Sequence, residues 1–276
     1  MALKELEGSL SGFNIGLSGA VPEGSEWTEP APDRAILEFV AVFTSLVIKY
    51  GGRIVHGSHP TFTPIILDHA KHQAPPGSGK VVTLVISELW ANTPDFRDIL
   101  SRSEIAEIIV TKQIGEGGPE IVDTRNRSLS LMRLHLLQQM NVMIAVGGKV
   151  HSNDGIIPGV SGELKYANCR RMACFLIGGG MGGMAAKLVR EQSRPSEQPW
   201  PWESWVQSGL TNKKNRELQT TTDVGSCVST IFNHLTHHPE LAKRKLARLD
   251  VSKKDCLNDA TILTFKNEAP KKKMLL

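Results

Sequence analysis

Between residues 13 and 190, short Val/Ile-rich runs alternate with longer amphipathic stretches, and four of the runs stop at glycines. This alternation constrains the fold more than any other feature of the chain. A short β-branched run bounded by turn residues reads as a strand, and strands separated by helix-length segments build a parallel sheet. Six strands are expected: Phe13–Leu17, Arg53–His56, Val81–Ile86, Ile105–Val110, Asn141–Val146 and Ala173–Ile177. Helices are expected over Ala35–Tyr50, Pro64–Gln73, Leu129–Met140, Gly162–Arg171 and Met184–Arg190. In the first of these, Ile36, Phe39, Val40, Phe43, Leu46 and Val47 share one face, and Gly51-Gly52 supplies a left-handed C-terminal cap. The predicted fold is α/β: a Rossmann-like, open, mostly parallel sheet with helices on both faces, plus a C-terminal helical extension.

The rhythm breaks at Ser193–Trp205, where three tryptophans (Trp200, Trp202, Trp205) stand among prolines. Large aromatics mostly bury area, so this segment reads as a linker wrapped on the main domain. Residues 1–192 then form the sheet domain, and residues 193–276 a Pro/Trp-rich segment, a helical extension and a basic tail. The extension is read as helices over Thr220–Leu235 and Pro239–Leu249, the second with a solvated basic face.

Composition narrows the function classes. Formal net charge is only +4 and aromatics are 5% of the chain, so a nucleic-acid surface is not expected. No apolar stretch reaches the roughly 18–20 residues of a membrane helix, and Met1–Gly12 carries no signal-like apolar core. Cys169, Cys174, Cys227 and Cys256 form no CxxC pair, so neither a metal site nor a disulfide framework is expected; they read as buried, reduced thiols. The expected setting is the cytoplasm, with no membrane partner.

Ligands of an open parallel sheet bind outside the carboxyl ends of its strands. Ser18-Gly19, Gly57-Ser58-His59, Gly147-Gly148-Lys149 and Gly178–Gly183 are all expected at that edge. Glycine lets a backbone approach a phosphate, and the following helix offers free N–H groups. GxxxxGK[ST] is absent and no GxGxxG follows the first strand, so the usual P-loop and dinucleotide fingerprints are missing. Arg125, Arg127, Arg133 and Lys149 offer cations for phosphates, and Glu163 a carboxylate for ribose hydroxyls or for positive charge at an anomeric carbon.

In order along the chain, Ile15–Glu23, Gly51–Pro60, Ser128–Arg133, Ile144–Lys149 and Pro158–Glu163 resemble the SLOG superfamily. This Rossmann-like group includes the "lonely guy" (LOG) phosphoribohydrolases and the DNA-processing protein Smf/DprA. The matching elements span residues 13 to about 190. The chain is most similar to the SLOG modules of TIR-linked antiphage systems such as Thoeris, which bind a cyclic ADP-ribose-type signal. That resemblance implies a pocket lined by Ser18, Gly19, Gly57, Ser58, His59, Arg133, Gly147, Gly148, Lys149 and Glu163. In LOG hydrolases the glutamate follows closely in PGGxGTxxE, whereas here Val150–Ile157 intervenes between the glycine pair and Glu163.

The resemblance implies a receptor for an ADP-ribose-like or cyclic-nucleotide messenger in prokaryotic antiviral defence. Such a protein would be homo-oligomeric, would need no cofactor beyond the small phosphorylated nucleotide it reads, and would engage a protein partner through its C-terminal region. The alternative is a LOG-like N-glycosidase acting on a nucleotide or NAD-like substrate, with Glu163 and Arg133 catalytic. A third reading is a structural subunit with a vestigial pocket.

Overall fold

A computed structural model describes residues 7–22, 32–90, 93, 96–97, 99, 104–150, 159–192, 208–244 and 246. Six strands form one parallel sheet: β1 (Asn14–Ala20), β2 (Arg53–His56), β3 (Val82–Ser87), β4 (Ala106–Thr111), β5 (Val142–Gly147) and β6 (Ala173–Ile177). Their spatial order is β4-β3-β2-β1-β5-β6. The chain therefore reverses its direction of travel between β1 and β5, where Ile15 pairs with Val142 and Gly19 with Val146.

Both faces of the sheet are covered, as an all-parallel sheet requires. Side chains alternate along each strand, so Val142, Ile144 and Val146 join one apolar cluster while Met143 and Ala145 join the other. The first cluster is closed by α1 (Pro32–Lys49), α2 (Thr63–Gln73) and, from the C-terminal part, α7 (Val224–His237). The second is closed by α3 (Val122–Gln138), α4 (Gly159–Cys169) and α5 (Gly183–Gln192). α1 ends as its glycines require. Gly51 lies at φ +87, its N–H bonds to Ile48 O, and the Gly52 N–H reaches Val47 O at 2.8 Å, the double closure of a Schellman cap.

The C-terminal helices differ from expectation. α6 (Asn212–Thr220) precedes α7 as a separate helix, and its sequence NKKNRELQT offers little apolar periodicity to reveal it. α7 begins only at Val224, where the Asp223 carboxylate accepts the Ser226 N–H at 2.7 Å. Of the basic stretch after Pro239, the described residues form a single helical turn, α8 (Glu240–Lys243), and residues 245 and 247–249 lie outside the described residues. α7 buries Cys227, Val228, Ile231, Phe232 and Leu235 against the sheet domain, with Phe232 meeting Tyr50 of α1 at 5.1 Å between ring centroids. Cys174 and Cys227 are free, buried thiols, both pushed up to about 12 by burial. Cys169, expected reduced, is in a disulfide. Trp200, Trp202, Trp205 and the tail lie outside the described residues. No helix among the described residues is long and apolar enough to cross a membrane.

Candidate functional site

A cleft of about 440 Å³ opens beyond the carboxyl ends of the central strands. Its floor is Leu17, Gly19 and Ala20 of β1, His56–Pro60 at the end of β2, and Gly148-Lys149 after β5. One wall is α3, which presents Arg125, Leu129, Met132 and Arg133 at helical spacing, and the N-terminus of α4, with Gly159, Val160 and Glu163. The opposite wall follows β3 and carries Ile86, Trp90, Phe96 and Ile99. This is the switch-point crevice where such sheets place their ligands.

The β2 loop is shaped by His56, which is buried beneath it. Its Nδ1–H donates to Leu17 O at 2.8 Å, and its Nε2 accepts the His59 N–H at 3.2 Å. The two bonds select one tautomer, and burial holds the imidazole below its usual pKa. On unfolding, the ring regains its ordinary value near 6.5, so the unfolded chain binds the extra proton first on acidification. Stability is therefore expected to fall as pH drops below about 6.5. Urea unfolding at pH 7.5 and 5.5 checks this, and His56→Gln should flatten the dependence whatever its absolute stability.

Ser58 adopts φ +57, a left-handed conformation that a non-glycine residue enters at a cost of roughly 1–2 kcal/mol. Its Oγ is buried at the cleft and has no hydrogen-bond partner. Gly57 precedes it, so nothing local forbids a second glycine here. Ser58→Gly is expected to raise stability by about 1 kcal/mol, the relief of strain exceeding the added unfolded-state entropy. The same variant should weaken binding of a ligand that uses the hydroxyl, and a thermal melt paired with a titration reads both effects.

Arg133 and Glu163 meet along this wall of the cleft with Nε and Oε1 at 4.0 Å, their side chains 12% and 13% exposed. Burial pushes the Glu163 carboxyl above its ordinary range, while the Arg133 charge and the nearby Ser18 hydroxyl oppose the shift. Ser18 Oγ itself is buried and reaches no partner at full hydrogen-bond geometry. The Arg133 charge also acts on the buried Tyr166 phenol, one turn beyond Glu163, whose pKa burial raises. Arg133 thus stands between two acids at the mouth of α4, where its guanidinium approaches the Gly159 backbone.

The cleft collects Gly19, Gly57, Ser58, His59, Arg133, Gly148, Lys149 and Glu163 from five separate stretches of sequence. Ser18 and Gly147 do not line it: Ser18 lies beneath, beside Glu163, and the open side of Gly147 faces Ile36 of α1. Ser18-Gly19, expected as a loop, is part of β1, paired to Ala145 and Val146. Arg127 turns away to pair with Asp123 at 3.4 Å, whereas Arg125 lines the cleft and donates to Pro119 O at 2.8 Å. The Gly178–Gly183 run contributes nothing to the lining. A Cβ on Gly179 would sit 2.2 Å from Thr221 O, and one on Gly183 2.5 Å from Gly147 C, so this run seats other backbone.

Sequence reasoning missed His56 and the apolar wall Ile86, Trp90, Phe96 and Ile99. His56 ends the short strand Arg53–His56, and its one signal is a polar side chain directly after the buried pair Ile54-Val55. The described residues hold no cluster of His, Cys, Asp or Glu arranged for a metal.

An all-parallel, six-stranded open sheet with a cleft at its switch point defines a Rossmann-like α/β protein. A family model described as SLOG cluster2 matches residues 43–199, and the chain belongs to that family within the SLOG superfamily. The matched segment contains the cleft residues from His56 to Glu163 and leaves β1 outside it. No curated protein matches the chain.

Proposed function

We propose that the cleft binds a nucleotide-derived ligand, of ADP-ribose-like or cyclic-nucleotide type, and that the protein is a receptor for it in prokaryotic antiviral signalling. One observation carries the binding reading: the switch-point cleft joins the end of β2, the N-terminus of α4 and the cations Arg133 and Lys149. A helix N-terminus offers unpaired N–H groups and the positive end of its dipole, which together suit a phosphate. In this reading Gly57 and Gly148 let the phosphates approach, Ser58 and His59 hold oxygens, and Glu163 accepts ribose hydroxyls. Ser18 and Gly147 support from behind. The defence role and a homo-oligomeric state rest on the resemblance to Thoeris-type modules, and a cytoplasmic setting on the composition of the chain.

A second reading is favoured by Glu163. Despite its displacement in sequence, it lies in the cleft beside Arg133, with a carboxyl raised by burial. A glutamate in that state suits acid–base work or stabilisation of an oxocarbenium-like centre in N-glycosidic cleavage. The test is incubation of the pure protein with NAD, AMP, ADP-ribose and cyclic ADP-ribose, followed by mass spectrometry and thermal melts. An unchanged ligand that raises Tm supports the receptor. Base release that disappears in Glu163→Gln supports the hydrolase, and neither effect sinks both.

A further inference from the structure

The cleft is divided chemically across its width. Arg125, Arg133, Lys149 and Glu163 come from α3, the end of β5 and α4, while Ile86, Trp90, Phe96 and Ile99 face them from the end of β3. Phe96 and Ile99 are buried, at 4% and 8% exposure, and Ile86 at 6%, so they form a packed backing. Trp90 differs, being a lining residue that is only half-buried. It closes the short 3-10 turn Glu88–Trp90, anchored by buried Leu89, and its carbonyl accepts the Thr93 hydroxyl at 2.8 Å. A large aromatic held on a pinned turn, over an apolar backing and across from cations, matches a ligand with a flat ring at one end and phosphate at the other.

We propose that Ile86, Trp90, Phe96 and Ile99 form a base subsite, with Trp90 the specificity-determining residue that takes the face of a nucleobase whose phosphate lies toward Arg133 and Lys149. This rests on the nucleotide reading above and adds a selection rule: the site prefers base-bearing phosphates to bare sugar phosphates. Stacking on one aromatic is sequence-tolerant, because every base has a π-face. The subsite by itself therefore distinguishes base from no base more strongly than one purine from another.

The test titrates the full chain with AMP and with ribose 5-phosphate, which differ by the base. AMP should bind at least about tenfold more tightly, Trp90→Ala should remove most of that advantage while leaving ribose 5-phosphate unchanged, and Trp90→Phe should restore part of it. Equal wild-type affinities for the two compounds, equal losses for both in Trp90→Ala, or binding of neither would overturn the subsite. The wild-type comparison decides even where the alanine variant folds poorly. ADP-ribose run alongside separates the two failures: if it binds while AMP shows no advantage, only the subsite falls, and if it also fails to bind, the nucleotide reading falls with it.

Discussion

Replacing Arg133 with alanine is expected to remove most affinity for a phosphorylated ligand and to destabilise the unliganded protein. A charged hydrogen bond to phosphate is worth roughly 1.5–3 kcal/mol, which is a loss of about 10- to 100-fold in affinity. Stability suffers for a separate reason. Glu163 keeps 13% of its side chain exposed and has Arg133 as its ion-pair partner at 4.0 Å, so the variant strands a nearly buried carboxylate. Breaking a fully buried pair costs roughly 3–5 kcal/mol, and the long separation here places the expected loss at about 2 kcal/mol. The pH dependence identifies the cause. Glu163 already titrates above the ordinary carboxylate range, and without Arg133 it rises further. The folded state then holds the proton more tightly than the unfolded chain, so the variant should regain stability as pH falls through that raised value. Arg133→Ala combined with Glu163→Gln should recover stability at neutral pH but not affinity. A double variant as unstable as the single one would show that Arg133 acts through packing.

Gly19→Ala is expected to be the most damaging single methyl addition in the sheet. A Cβ at this position would lie 2.0 Å from the Val146 carbonyl oxygen and 3.1 Å from the Phe62 ring, on a residue at φ +157. The obstruction is backbone, so no rotamer change relieves it. Either β1 parts from β5 at the pair Gly19–Val146, or the Val146–Gly147 peptide turns and takes Gly148 with it. Both outcomes disturb the cleft floor, and a loss above about 4 kcal/mol is expected, in the range reserved for overpacking and strain in a core. Urea denaturation measures it. Gly16→Ala is a useful contrast, because the atoms in its way belong to the flexible Met140 side chain and a smaller loss should follow.

Most of the sheet was legible because each strand is short, apolar and punctuated. β2 and β6 fall where their sequences place them, and β3, β4 and β5 lie one residue further along. The strand misjudged was β1, because Ser18-Gly19 looks like a turn yet pairs fully with β5. That glycine answers a close approach between strands, which leaves no local pattern. α3 begins a full two turns before Leu129, with Ile121 at its N-cap and no capping side chain to announce it. Had that start been visible, Arg125, Leu129 and Arg133 would have fallen on one face at i, i+4 and i+8. Of the candidate site, Lys149 could be placed from its position just after β5, whereas Arg133 and Glu163 stand within α3 and α4 and were assigned to the pocket through the SLOG resemblance. The aromatic wall was not legible, since no motif in the sequence after β3 marks Trp90, Phe96 and Ile99 as neighbours.

The Gly178–Gly183 run, expected at the ligand edge, is instead a junction. On one side it accepts the backbone of Thr220–Thr222, and on the other Gly183 rests on Gly147 and Gly148, whose carbonyl accepts the Met184 N–H at 2.9 Å. At this run, the segment leading into α7 and the rim of the cleft therefore approach one another partly through main-chain atoms, those of Thr220 and Thr221 on one side and of Gly147 and Gly148 on the other. A joint of this kind responds unusually to sequence drift. Where its contacts are peptide groups, exchange of the side chains on those residues leaves its shape unaltered, since peptide groups are the same in every residue. A single added methyl within the run would pry the two parts apart. Over long divergence such a seam preserves the relation between the cleft and the C-terminal helices while leaving almost no compositional trace beyond the glycines themselves.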